Sequence, residues 1–128
     1  MSPLLYRLWR EDRGASTVEF VMVLPILTLL LAGSVFACMM MYAASTLHFA
    51  VEDAARCGAV KTGICTSATT TQTYALSRYR GPKMNSLTFT ATPASTCGYQ
   101  VAGSGTFLLK TGLKTLSVPI SASGCFPI

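Results

Sequence analysis

Residues 20–51, FVMVLPILTLLLAGSVFACMMMYAASTLHFAV, are 32 consecutive positions without a formal charge, and that run decides the fold. As an α-helix it is about 48 Å long, against a bilayer hydrocarbon core of about 30 Å. One tilted span fits with a turn or more to spare. In a chain of 128 residues this leaves room for about one small domain beside it.

Charges bracket the run. Arg7, Arg10, Glu11, Asp12 and Arg13 precede it, Glu19 stands at its edge, and Glu52, Asp53 and Arg56 follow. Beyond these come Lys61, Arg78, Arg80, Lys83, Lys110 and Lys114 with no acid, so the C-terminal part carries +6. That balance suits contact with anionic lipid, polysaccharide or nucleic acid. The cations are scattered along the sequence without interleaved aromatic clusters, however, and the simpler reading is a solvated basic surface. Three arginines in the leader outweigh Arg56 and Lys61 just after the run, so the positive-inside rule favours a cytosolic leader and an external C-terminus.

Cysteine usage agrees with that orientation. Of five cysteines, Cys38 lies inside the apolar run and Cys57, Cys65, Cys97 and Cys125 fall in the external part. A 67-residue remainder, 62–128, has a small core, and two disulfides would stabilise it in an oxidising compartment. Four cysteines allow three connectivities.

The N-terminal region also has to be tested as a targeting segment. SVFAC, residues 34–38, offers a Val-x-Ala pattern before Cys38, which would suit a signal-peptidase site or a degenerate lipobox. Yet Phe36 is bulky for that position, and the apolar character continues well past Cys38 where a cleaved signal gives way to polar sequence. Glu19 also counts against a signal peptide. A carboxylate costs roughly 2.5 to 3.5 kcal/mol at mid-membrane on insertion scales, less near the interface. Two accounts compensate it: headgroup depth at the N-terminal end of the helix dipole, or a cationic partner supplied by another group.

Residues 12–59, DRGASTVEFVMVLPILTLLLAGSVFACMMMYAASTLHFAVEDAARCGA, resemble the TadE-like minor pilins, or pseudopilins, of tight-adherence (Flp-type) pilus systems. The shared features are the Gly14-Ala15 start, the Val18-Glu19-Phe20 triplet, Leu24-Pro25 in the span and Ala54-Ala55-Arg56 with Gly58-Ala59 at the helix end. Ala15 replaces the phenylalanine common after the glycine in type IV pilins, and Phe20 stands where major tight-adherence pilins usually have tyrosine. Both departures fit the TadE-like branch. The resemblance implies a precursor that a prepilin peptidase cuts after Gly14, leaving Ala15 as the first residue and the leader in the cytosol. It further implies a single-pass protein of the bacterial inner membrane with a periplasmic C-terminal domain. Its implied partners are the peptidase, other pilin or pseudopilin subunits, the inner-membrane assembly platform and membrane lipid, and its implied use is a pilus for surface adhesion. Cleavage would create an α-amino group with an unperturbed pKa of about 7.7 to 8.0. Glu19, four residues along the same helical face, would then pair with the amine of a neighbouring subunit, beside Phe20.

Helical spacing continues through Leu47, Val51, Ala54, Ala55 and Gly58, with Glu52 and Arg56 four apart for a modest ion pair. The expected helix is 15–60, with a span at about 20–44 and an external stalk beyond it. Pro25 removes one helical hydrogen bond early in the span, and Gly33, Ala37, Ala43 and Ala44 permit close helix contact without forming a GxxxG motif. The threonine-rich stretch after Cys65 reads as a connector leading to a short helix near 72–80, ended by Gly81-Pro82.

The period then changes to two. Leu87, Phe89 and Ala91 alternate with threonines; Tyr99, Val101, Phe107 and Leu109 share one parity, and Leu116, Val118 and Ile120 share another. Three amphipathic strands are predicted, the middle one with a bulge or bend at Gly103-Ser104-Gly105, and the last an edge strand because it holds Pro119. The expected fold class is α+β: a long membrane-spanning helix followed by a small external domain, 61–128, whose three-stranded antiparallel sheet packs on the helix end. In an up-down-up meander the ends of the outer strands lie on one side, which favours Cys97 with Cys125 and hence Cys57 with Cys65, other connectivities staying open.

These readings favour a structural role over catalysis. Residues 62–128 contain no acid and no histidine, so an ordinary acid/base pair or triad is not available there. His48 with Glu52 and Cys57 matches no metal-site spacing, and no cofactor motif is present. The alternative in another class is a membrane-anchored or secreted cationic binding protein that contacts anionic surfaces or nucleic acid and does not enter a filament.

Overall fold

The computed structural model describes residues 15–60, 63–110, 112 and 114–128. In order they form helix α1 (Ala15–Val60), helix α2 (Ala68–Arg78) and strands β1 (Asn85–Ser95), β2 (Gly98–Lys110) and β3 (Thr115–Phe126). They fall into two compact units divided between Phe36 and Ala37.

The first unit is the N-terminal part of α1. Pro25 lies inside the helix, which continues through it. The hydroxyls of Thr28 and Ser34 donate to the carbonyl oxygens of Pro25 and Leu31 at 2.9 and 2.8 Å. Side chains are exposed all round from Val18 onward. An apolar helix with no covered face is what a lipid solvent requires, because every backbone group is satisfied internally.

The second unit is α+β. From Ala43 onward α1 buries a stripe at helical spacing, Ala43, Leu47, Ala50, Val51, Ala54 and Ala55, each at most 1% exposed. The cover is an antiparallel meander in the order β1-β2-β3. Phe89, Tyr99, Val101 and Ala122 of the sheet join the helical stripe and Ala75 of α2 in one apolar cluster. Small residues let the layers approach closely: a Cβ on Gly58 would fall inside the Tyr99 ring. A Cβ on Gly103 would sit 2.7 Å from Phe89 and 3.0 Å from Leu47, and one on Gly124 would sit 3.0 Å from the Glu52 backbone nitrogen.

The sheet corrects two expectations. β2 and β3 pair in unbroken register from Tyr99↔Phe126 to Lys110↔Thr115, so Gly103-Ser104-Gly105 is neither bulge nor bend. Gly103 is a flat place under Leu47 and Phe89, and Gly105 lies under Met84 and Leu87. The irregularities fall instead on the β1–β2 pairing, between Asn85 and Thr88, where Ser86 adopts a positive φ of 54°, and between Thr92 and Ser95. Leu116 is the second difference: it keeps the inward parity but is 52% exposed, because the sheet there runs beyond its cover.

Helix α2 also starts earlier than the sequence reading placed it. Ser67 is the N-cap, its hydroxyl accepting from the Thr70 amide at 3.3 Å while the Thr70 hydroxyl accepts from the Ser67 amide at 2.9 Å. This reciprocal pair converts a stretch of weak helix formers into a helix start. Tyr79, extended at the C-cap, ends the helix just before Gly81-Pro82.

Candidate anchor and assembly segment

Of the residues singled out in the sequence, Gly14 and the leader lie outside the described residues. Ala15 is the first residue of α1. Glu19 and Phe20 follow within the next turn, both exposed, Phe20 at 63%. Since Ala15 and Glu19 are four apart on one helix, they share a face. The first turn contains no acid, so Glu19 stands just past the region where the helix dipole acts strongly. Among the described residues Glu19 has no hydrogen-bond or ion-pair partner.

Past Glu19 the helix has the length and composition to cross a bilayer, and the apolar window is wholly uncovered. A soluble core helix passes the same test of length but buries its apolar face. Here Met22 and Leu29 are at least 70% exposed, and Met41 equals Met22. Cys38 carries a free thiol on the exposed surface of this helix, with helical backbone on both sides.

The other four cysteines come together in pairs. Cys57 is bonded to Cys65 and Cys97 to Cys125, with Cα separations of 5.7 and 6.3 Å. The first ties the end of α1 to the connector preceding α2; the second ties the β1–β2 turn to the end of β3. Both staple the end of the second unit away from Ala43.

Sequence reasoning missed a polar cluster that fixes α2 against α1. The Arg78 guanidinium lies 2.7 Å from an Asp53 carboxylate oxygen, and the Tyr74 hydroxyl donates to the same oxygen at 3.1 Å. Arg78 Nε is also 3.0 Å from the Tyr74 oxygen, and this bond, then the Asp53 charge, pushes its pKa above the ordinary value. Asp53 thus takes the ion pair, where the spacing had pointed to Glu52 and Arg56. Deeper in, the hydroxyls of Thr71 and Tyr99 are 3.0 Å apart, and Thr71 also donates to the Ser67 carbonyl at 2.9 Å. No periodicity announces contacts between residues 21 and 28 positions apart.

At the other end of the unit, the Tyr42 hydroxyl donates to the Arg80 carbonyl at 3.1 Å and the Tyr79 hydroxyl to the Pro82 carbonyl at 2.7 Å. Partial burial raises the Tyr79 pKa. None of these clusters pairs a nucleophile with a base. His48 is exposed, and among the described residues no group of three histidine, cysteine or acidic side chains is placed to hold a metal.

A family model described as TadE-like protein matches residues 14–56. The match opens on the glycine before α1, takes in Glu19 and the exposed apolar stretch, and ends within the buried part of the helix, leaving the sheet unmatched. No curated protein and no solved structure matches the chain.

Proposed function

From the TadE-like character of residues 14–56, we propose that this chain is the precursor of a minor pilin of a tight-adherence pilus, cleaved after Gly14 by a prepilin peptidase. The mature chain begins at Ala15, stays in the inner membrane through α1 with its sheet domain in the periplasm, and is then drawn into the pilus or its priming complex. The protein is the peptidase's substrate and not a catalyst.

The observation that carries this reading is the exposed Glu19, without a partner among the described residues, at the entrance of an uncovered apolar helix. A lone carboxylate there is a cost; a carboxylate facing the new amine of a neighbouring helix is a register device. Pairing offsets part of the desolvation each charge suffers alone, and loss of one partner leaves the other uncompensated, at about 3 to 5 kcal/mol for buried pairs. A helix shifted along its neighbour by one turn would separate the charges and forfeit the pair. Exposed Phe20 and Val21 supply apolar contact beside it.

The test is the N-terminal sequence of the protein recovered from cells with and without the prepilin peptidase. Ala15 is expected with the enzyme and Met1 without it. Met1 in both would sink the processing claim, and a chain starting at Cys38 would favour a secreted or lipidated protein. For the pairing role, Glu19→Ala is expected to leave the chain cleaved and in the membrane but absent from sheared pilus fractions; normal incorporation would remove it.

A further inference from the structure

The two disulfides of the sheet domain differ in what can reach them. Cys65 is 2% exposed and Cys57 9%, whereas Cys97 and Cys125 are both exposed. Cys97 sits in the β1–β2 turn, where Ser95 pairs with Gly98, and Cys125 pairs with Gln100 from the edge strand β3. A dissolved thiolate therefore has access to one bond and not to the other.

The accessible bond is also asymmetric. The Ser95 hydroxyl oxygen lies 3.1 Å from the Cys97 sulfur and 3.8 Å from the Cys125 sulfur. In the oxidised protein that hydroxyl donates to the Gly98 carbonyl at 2.8 Å, a better acceptor than a disulfide sulfur. A thiolate reverses the preference, because a hydrogen bond to an ionised acceptor is roughly twice as strong as a neutral one. Rotation of one hydroxyl then stabilises negative charge on Cys97 more than on Cys125.

Access points the same way. A thiolate attacks a disulfide in line with the sulfur–sulfur bond, so attack on Cys125 comes from the free edge of β3. A groove of about 460 Å³ opens there between β3 and α1, lined by Cys125 and Phe126 with Phe49, Glu52 and Arg56, and Cys97 is not one of its walls.

We propose that Cys125 is a site of reversible mixed-disulfide formation with a peptide thiol of the glutathione class, Cys97 being the leaving group. The incoming thiolate bonds to the Cys125 sulfur, the Cys97–Cys125 bond breaks, and its electron pair leaves on Cys97, where Ser95 donates to it. One disulfide and one thiolate are consumed and one of each is formed, so the step needs no further oxidant or reductant. In the reverse step the Cys97 thiolate attacks Cys125 and expels the peptide thiolate. Reclosure is easy because the sheet holds the two sulfurs near each other: a Cβ on Gly98 would meet the Phe126 carbonyl, and Gln100 is paired with Cys125. Exposed Glu52 and Arg56 suit the ammonium and carboxylate groups of such a peptide. The inference goes beyond the pilin reading and does not depend on cleavage after Gly14.

The experiment incubates the full chain, in detergent micelles and a Cys38→Ser background, with reduced glutathione to low conversion. Acid quenching, alkylation of free thiols with N-ethylmaleimide and peptide mass spectrometry then locate both groups. Glutathione is expected on Cys125 with maleimide on Cys97, in about fivefold excess over the reverse pattern, since only part of the charge on the leaving sulfur has developed at the transition state. The Cys57–Cys65 bond should stay intact, which also reports that the domain is folded. Ser95→Ala should bring the two patterns toward equality and Ser95→Thr should keep the bias. Reaction first at Cys57 or Cys65, or equal adducts on Cys97 and Cys125 of the parent, would overturn the proposal. So would an undiminished bias in Ser95→Ala with Cys57–Cys65 intact. Arg56→Gln should slow glutathione and leave mercaptoethanol unaffected; parent rates with both thiols would overturn the peptide class of the partner.

Discussion

Two stretches of the one helix α1 solve opposite problems with opposite residues. Up to Tyr42 the large side chains are exposed, with Leu29 at 73% and Leu30 at 67%; from Ala43 to Gly58 the buried stripe is mostly alanine and glycine, with Leu47 and Val51 its largest members. A helix meant for lipid has no reason to be small on one face, because acyl chains adapt to it. A helix meant for a sheet is limited by a partner that cannot move. The difference teaches that side-chain volume, more than hydrophobicity, marks where the solvent of α1 changes.

The sharpest way to break this contrast is the same charge in both stretches. Val51→Asp would place a carboxylate at a site with 0% exposure and no partner for it, at an expected cost of about 4 kcal/mol or more. Thermal unfolding of the purified chain should show the sheet domain lost at ambient temperature. Leu30→Asp should leave that unfolding transition in place and weaken membrane retention instead, by roughly 2.5 to 3.5 kcal/mol of insertion free energy, read as release into the soluble fraction on alkaline extraction. Equal effects of the two changes on unfolding would erase the distinction.

Next in size are the disulfides, which exist only on the sheet side of the contrast. The Cys97–Cys125 bond closes a separation of 28 residues and the Cys57–Cys65 bond one of 8. In the chain-entropy description these correspond to about 3.6 and 2.5 kcal/mol. Cys97→Ser with Cys125→Ser should therefore lower the unfolding midpoint more than Cys57→Ser with Cys65→Ser. The reverse order would mean that fastening the end of α1 matters more to the folded state than loop length does.

The same contrast explains what could be read in advance. The uncharged run, the helical spacing through Leu47 to Gly58 and the alternation at Leu87, Phe89, Tyr99, Val101 and Val118 are local patterns, and they led to a long helix and a three-stranded sheet. Gly103 was misread because its meaning is in Leu47 and Phe89, which no local window contains. The start of α2 was missed because the Ser67–Thr70 hydroxyl exchange outweighs the poor helix propensity of threonine. Of the candidate site, the Gly14–Glu19 register is visible in the sequence. The Asp53–Tyr74–Arg78 cluster is not, since Tyr74 and Arg78 lie 21 and 25 positions from Asp53 along the chain.

A smaller effect sharpens the close approach itself. Gly58→Ala improves helix propensity by about 1 kcal/mol, and on an exposed face it would stabilise. Here the new methyl meets the ring of Tyr99, which is 5% exposed and held at its hydroxyl by Thr71 at 3.0 Å. Overpacking of this kind costs about 1 to 3 kcal/mol, so a net loss of up to about 2 kcal/mol is expected in denaturant unfolding. Gly33→Ala is the control: nothing lies within 4 Å of the added Cβ, and no loss is expected. A stabilised Gly58→Ala chain would show that the sheet yields where it was taken to be fixed.

The smallest effect lies at the seam between the two stretches, where Tyr79 packs beside Tyr42 and Thr46. Burial raises the Tyr79 pKa above the ordinary tyrosine value; the Tyr42 charge acts in the same direction and a hydrogen bond with Thr46 acts against both. The neutral phenol is also the form that donates to the Pro82 carbonyl at 2.7 Å. A group whose folded pKa exceeds its unfolded one contributes fully below the unfolded value, about 10, and loses that contribution as pH rises through the folded value. The unfolding midpoint of the parent should therefore exceed that of Tyr79→Phe by a constant margin up to about pH 9 and by a shrinking one above pH 10. Because Tyr79 is only half-buried, water screens much of the difference, and the change should be slight compared with that caused by an acid at Val51. A margin that stays constant through the tyrosine range would mean that the phenol is solvated where α1 passes from its uncovered stretch to its covered one, placing the start of the core beyond Thr46.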